Sequence, residues 1–200
     1  FWFLRTLIVS VLVSASAGAI YGATAPRVNL AKYQAVTADS ASGRSYATYV
    51  TDGVVANDSC WQSSGSAPHW AGVQFPFPVQ IGSAQVYMGN DDSNVLSSFK
   101  LQYLTNSNWQ DIPGGIIYGN TNVERNVIFS TTVTASAFRL YDSADGTMRV
   151  KELALFPPNG TDGYPLGTDV TLDLAKKRPA VATSNTSGHY AKLADRKSVV

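Results

Sequence analysis

Glu152 is the first residue that asks for chemistry. In a strand over Arg149–Phe156, Val150, Glu152, Ala154 and Phe156 would share one face. A carboxylate there reaches an edge or needs a compensating partner, because burying an unpaired charge is very costly. A calcium ion is one such partner, and it takes roughly six to eight hard oxygen ligands. Asp52, Asn57 or Asp58, the Ser59 hydroxyl and nearby carbonyls can supply the others. The same residues also allow two plainer readings, an ion pair between Glu152 and a Lys or Arg, and a simple Asp-Gly turn at Asp52-Gly53.

A second chemistry open to this chain is saccharide recognition. It needs an aromatic face for the C–H surface of a sugar and planar polar groups for its hydroxyls. Tyr46, Trp61, His69, Asn90 and Asp92 lead the candidates, with Ser63, Ser64, Trp70, Asp91 and Asn94 beside them, all in or beside turn-rich stretches. For His69 a hydrogen bond at the start of a strand is the competing role. Hydrolysis of a glycoside normally needs two positioned carboxylates, and most acidic residues here sit in turns, where Asp is favoured for its backbone hydrogen bonds. The chain has no Gly-x-Ser-x-Gly elbow, no His-Glu-x-x-His and no glycine-rich phosphate loop. These 200 residues are therefore expected to be non-catalytic, with a catalytic domain downstream left open.

Composition narrows the partners. Formal charge is +1 and only 14% of residues are charged, so the clustered basic surface that nucleic acid demands is missing. Cys60 is the single cysteine, which excludes a disulfide within the sequence and suits a small apolar packing residue. Arg5, the apolar run Thr6–Val13 and the small-residue stretch Ser14–Ala19 read as a secretory signal peptide over residues 1–25. The apolar run is too short to span a bilayer, so no membrane insertion of the mature chain is expected. Oligomeric state has no signature.

The elements that must position these residues are short strands. Ala71–Phe75, Ala84–Met88, Phe99–Leu104, Asn126–Phe129, Ala137–Tyr141 and Arg149–Phe156 are predicted strands, and Phe99, Leu101 and Tyr103 alternate with Lys100 and Gln102. Residues 89–94, Pro113-Gly114-Gly115 and Ala144-Asp145-Gly146 are predicted loops. No stretch there carries an amphipathic helix of ten or more residues. Strands so spaced point to a sandwich or jelly roll over residues 26–158. A Pro/Gly-rich linker is expected over 159–170. Beyond it Asp173-Leu174-Ala175-Lys176 echoes Asn29-Leu30-Ala31-Lys32, and Ser187-Gly188 before Tyr190-Ala191 echoes Ser42-Gly43 before Tyr46-Ala47. Residues 171–200 thus read as the truncated start of a second, similar domain.

The stretch Tyr49-Val50-Thr51-Asp52-Gly53-Val54-Val55-Ala56-Asn57-Asp58-Ser59-Cys60-Trp61 resembles the Asp-Gly…Thr/Ser-x-Trp signature of the discoidin family, the coagulation-factor type C domains. Family-32 carbohydrate-binding modules share its galactose-binding-like jelly roll. The likeness runs from Asn29 to Pro157, through Asn29-Leu30-Ala31, Pro68-His69-Trp70, Phe99–Tyr103 with Trp109, Arg139-Leu140 and Arg149–Leu153. It implies an all-β jelly-roll sandwich. It also implies a structural calcium tying the Asp-Gly loop to the Glu of the last strand, through Asp52, Ser59 and Glu152 with backbone oxygens near Tyr49 and Val54. Val54-Val55 departs from the commoner polar pair after Asp-Gly, and Ser59 replaces the usual Thr. In such folds a tryptophan at the place of Trp61 often packs in the core, which is the competing role for that residue. The expected function is a secreted or cell-surface glycan-binding module with a shallow, loop-built site, tethering an attached enzyme or surface protein to polysaccharide. The alternative is an adhesion domain for protein or lipid, and a ligand-free spacer is a third possibility. The polar loops Gln62–Ser66 and Gly89–Ser93 favour glycan.

Overall fold

The computed structural model describes residues 27–89, 94–144, 146–161 and 163–164. The expected signal peptide, the second copy over 171–200 and the candidates Asn90, Asp91 and Asp92 lie outside the described residues.

Seven strands form the body: β1 (Ala35–Ala38), β2 (Trp61–Gln62), β3 (His69–Met88), β4 (Phe99–Thr105), β5 (Asn108–Ile117), β6 (Glu124–Asp142) and β7 (Arg149–Phe156). All pair antiparallel, in the order β2-β7-β3-β6-β4-β5, with β1 on the other side of β3. A jelly-roll sandwich arises because β3 and β6 are long enough to serve both layers. The first half of β3 pairs with β1 and the second half of β6, whereas its second half pairs with β7 and the first half of β6. The change occurs where the register shifts between Gln74 and Val79, at Pro76 and Pro78. Proline cannot donate to a ladder, so the pairing breaks there and the ribbon bends.

Period-2 alternation points Val73, Val86, Leu101, Phe138, Leu140 and Leu153 into one continuous core between the layers, and Val150 joins it because β7 shifts register between the partners of Tyr87 and Met88. The predicted strands are all present, but Ala71–Phe75 and Ala84–Met88 are parts of β3, and Asn126–Phe129 and Ala137–Tyr141 are parts of β6. Pro113-Gly114-Gly115 is not a free loop. It is a bulge inside β5, where the partner of Lys100 is Ile116 and that of Gln102 is Asp111. A 3-10 turn over Ala47–Thr51 precedes the Asp-Gly loop. Past the expected boundary at Pro158 the chain stays on the body. Gln80 N donates to Gly163 O at 2.6 Å, and the Tyr164 ring lies 5.5 Å from that of Phe77. The first part of the expected linker is therefore packed. Among the described residues no helix is long and apolar enough to cross a membrane.

Candidate functional site

Two regions bring polar side chains together. The first is the corner where the Asp52 loop meets β7. Glu152 is buried, 3% exposed, although it lies on a strand that otherwise carries core residues. Each of its oxygens has a donor: Asn29 Nδ2 at 2.9 Å on Oε1 and Gly53 N at 3.0 Å on Oε2. Gly53 has φ +78°, a left-handed conformation that glycine adopts without strain, and a Cβ there would collide with the Lys32 side chain. Asp52 Oδ1 accepts from Val54 N at 2.8 Å, and the Ser59 hydroxyl donates to Oδ2.

Burial pushes the Glu152 carboxyl up to about 7, and the nearby charge of Asp52 adds to the rise. The Gly53 and Asn29 donors and the charge of Lys32 oppose it without cancelling it. Two carboxylates thus share one corner, with the Lys32 side chain lying against Gly53 and partly offsetting them. The donor atoms are all hard oxygens, which suits calcium rather than a softer metal. Among the described residues no group of three or more His, Cys, Asp or Glu is placed to hold a metal ion. A cation here would therefore take these two carboxylates and complete its shell from hydroxyl and carbonyl oxygens. Tyr49 lies in the 3-10 turn before Asp52, and Val54 in the loop after it. Asn57 is on the exposed turn before Ser59.

The second region is the end of the sandwich at which β2, β3 and β7 begin or finish. Its loops are knitted by serines. Ser45 Oγ donates to Cys60 O at 3.0 Å and accepts from Gln62 N, Ser64 N donates to Ser40 Oγ at 3.1 Å, and Met148 N donates to Ser63 Oγ at 2.8 Å. On this frame Arg149 Nε donates to Gln62 Oε1 at 3.2 Å. Tyr46, next to Ser45, is 57% exposed and meets Tyr49 edge-to-face at 5.7 Å.

Burial removes two of the leading saccharide candidates, and Ser63 is buried with them. Trp61 is 0% exposed, its ring in the core and its Nε1 donating to Ser40 O at 2.9 Å, so it presents no face to a ligand. His69 is 1% exposed, with Nδ1 2.8 Å from Asp39 Oδ2. Its place is the start of β3, where it orders Asp39 beneath the loops. Trp70 N also donates to Asp39 Oδ1 at 2.7 Å. Burial raises the Asp39 carboxyl, but the Trp70, His69 and Ser40 hydrogen bonds win and hold it below the ordinary value. Gln62 and Arg149 were not among the sequence candidates. A polar pair flanking a strand end was the available signal, and only strand order shows that they meet.

Comparison with known proteins follows this geometry. The family profile of the F5/8 type C domain matches residues 35–152. No curated protein matches the chain. Among solved structures, chitosan-binding module 1 of a chitosanase/glucanase from Paenibacillus sp. IK-5 is similar at TM-score 0.56 and 20% identity, covering 64% of this chain and 98% of that one. The family 32 carbohydrate-binding module of C. perfringens NanJ, solved with galactose, gives TM-score 0.53 at 17% identity over 62% of this chain and 93% of the other. A fucose-binding module from Streptococcus pneumoniae gives 0.58 at 16% identity, over 66% and 96%. At these identities the likeness is one of fold.

Proposed function

The chain belongs to the F5/8 type C domain family, and from that membership we propose that it is a non-catalytic glycan-binding module. The observation that carries this reading is the serine-knitted loop end, where the Gln62 amide pairs with the Arg149 guanidinium and the exposed Tyr46 follows Ser45, whose hydroxyl accepts from Gln62 N. An aromatic face beside planar hydrogen-bonding groups is what a sugar ring requires. The structural neighbours named for chitosan, galactose and fucose carry the same fold and support the reading. Such a module holds an attached enzyme or surface protein on polysaccharide and raises its effective concentration there. The apolar run before Ala19 supports export of the chain, so that it acts outside the cell. Glycan-array binding by residues 26–164, with Tyr46→Ala and Arg149→Ala as variants, tests it. Binding that both variants retain, or binding to no glycan, refutes a loop-end site.

The corner at Asp52 and Glu152 is proposed to take a structural calcium, held by Asp52, Ser59 and Glu152, with carbonyls near Tyr49 and Val54 and with Asn57. When bound, the ion supplies positive charge that neutralises the two carboxylates. Asp52 and Gly53 orient the loop toward β7, and Glu152 ties β7 to it. A second function, adhesion to protein or lipid, is favoured by one feature, the exposed pair Val54 and Val55 on the same loop. Retention on phosphatidylserine vesicles with no glycan bound would select it.

A further inference from the structure

The outer face of the layer β1-β3-β6-β4-β5 carries a cluster that neither region above uses. Cross-strand pairing puts Gly72, Arg139, Gln102 and Asp111 in one row and Trp70, Tyr141 and Lys100 in the next. The guanidinium carbon of Arg139 lies 4.4 Å from the ring centre of Trp109, 4.9 Å from that of Tyr141 and 5.8 Å from that of Trp70. The Trp70 indole lies over Gly72, where a Cβ would stand 3.6 Å from Trp70 Cζ3, an ordinary van der Waals contact. Trp70 and Trp109 thus flank the arginine on a half-exposed surface.

The hydrogen bonds in this cluster leave the arginine without a direct carboxylate contact, although Asp111 is near enough to act on it through charge. Lys100 Nζ donates to Asp111 Oδ2 at 2.9 Å and Gln102 Nε2 to Oδ1 at 2.6 Å, so each Asp111 oxygen has a donor other than Arg139. Arg139 Nε donates to Gln102 Oε1 at 2.6 Å, which fixes the plane of the guanidinium. Among the described residues the ion pairs are His69–Asp39 and Lys100–Asp111, and neither includes Arg139. Its two Nη groups have no hydrogen-bond partner among the described residues. Burial pulls the arginine below its ordinary value, with Tyr141 and Asp111 opposing. With Lys100 and Arg139 against Asp111, the cluster is net positive.

We propose that this sheet face is a second saccharide site, and that its ligand is an acidic sugar whose carboxylate accepts hydrogen bonds from both Nη groups of Arg139 while its ring packs on Trp70 and Trp109. A guanidinium held by its Nε presents a planar fork that matches a carboxylate bidentately, which an ammonium cannot do. Rings beside it supply the apolar surface that the C–H face of a pyranose needs. A neutral sugar offers the two Nη groups no carboxylate, so the site discriminates by charge as well as by shape.

The test is isothermal titration of the full chain with alginate oligosaccharides, in parallel with neutral galacto-oligosaccharides. Arg139→Lys keeps the charge and removes the fork, and is expected to weaken alginate binding about tenfold or more while leaving neutral-sugar binding intact. Trp109→Leu should weaken alginate similarly. A readout in the unaltered protein guards against variants that misfold: the indole N–H resonances of Trp70 and Trp109 should shift on adding alginate. Alginate affinity unchanged in Arg139→Lys, indole signals that stay still at saturation, or no alginate binding beside intact neutral-sugar binding each overturns this site alone. Loss of both ligand classes from the unaltered protein would overturn the glycan-binding function as well.

Discussion

Asn29 satisfies three groups with one amide. Its Nδ2 donates to Glu152, while its Oδ1 accepts from Ala31 N at 3.0 Å and Leu155 N at 3.1 Å. Replacing it by alanine takes one of the two donors from a buried carboxylate and removes the acceptor of two backbone N–H groups. Asn29→Ala should cost about 2–3 kcal/mol in urea unfolding, more than an ordinary surface substitution. Asp39 is one of two carboxylates, with Asp111, held below the ordinary value. Its folded value is depressed, so the stability it contributes is present above the ordinary aspartate value of 3.8 and is lost as pH falls through the lower folded value. Asp39→Asn should flatten the melting temperature against pH below about 4, as read by thermal unfolding in a pH series. Residue types alone suggested Trp61 and His69 as ligand contacts. Both types serve a core equally well, and burial, not chemistry, separates the two uses.

The strand ladder depends on its interruptions. At Gly114 φ is +83° and a Cβ would stand 2.8 Å from Ser130 Oγ and 2.9 Å from Ser130 N. Gly114→Val should therefore destabilise the domain by about 2 kcal/mol or more, since strain and a backbone clash add. Equilibrium denaturation reads the loss, and a cost within about 0.5 kcal/mol would contradict the bulge. Pro-Gly-Gly reads as a loop in sequence because turn chemistry and bulge chemistry use the same residues. Its neighbours Ile112 and Ile117 continue an inward pattern, but only pairing with Lys100 and Gln102 shows that the strand runs on. The same holds for β3, where Pro76 and Pro78 mark a bend between layers.

At the scale of the molecule, two contacts close the sandwich. One is the calcium corner proposed at Asp52 and Glu152. A ligand that binds the folded state alone stabilises it by about 2.7 kcal/mol at a hundredfold excess over its Kd. Calcium should therefore raise the melting temperature, a chelator should lower it, and Glu152→Gln should abolish the difference. A melting temperature indifferent to calcium would count against the ion. The other contact is the C-terminal segment through Gly163 and Tyr164, which packs on Gln80 and Phe77. A chain ending at Pro158 should melt below one ending at Tyr164.

Sequence alone carried the class of the fold. Alternating runs, turn residues and the ordered family motifs each act locally, and local patterns determine strands, their inward faces and an all-β body. It also paired Asp52 with Glu152 as a possibility, through a motif rather than through geometry. Tertiary structure decided which outward residues are neighbours. Arg149 meets Gln62, and Arg139 gathers Trp70, Trp109 and Tyr141, from positions far apart along the chain. A period of two says which face a side chain takes, whereas strand order and register say what lies beside it there.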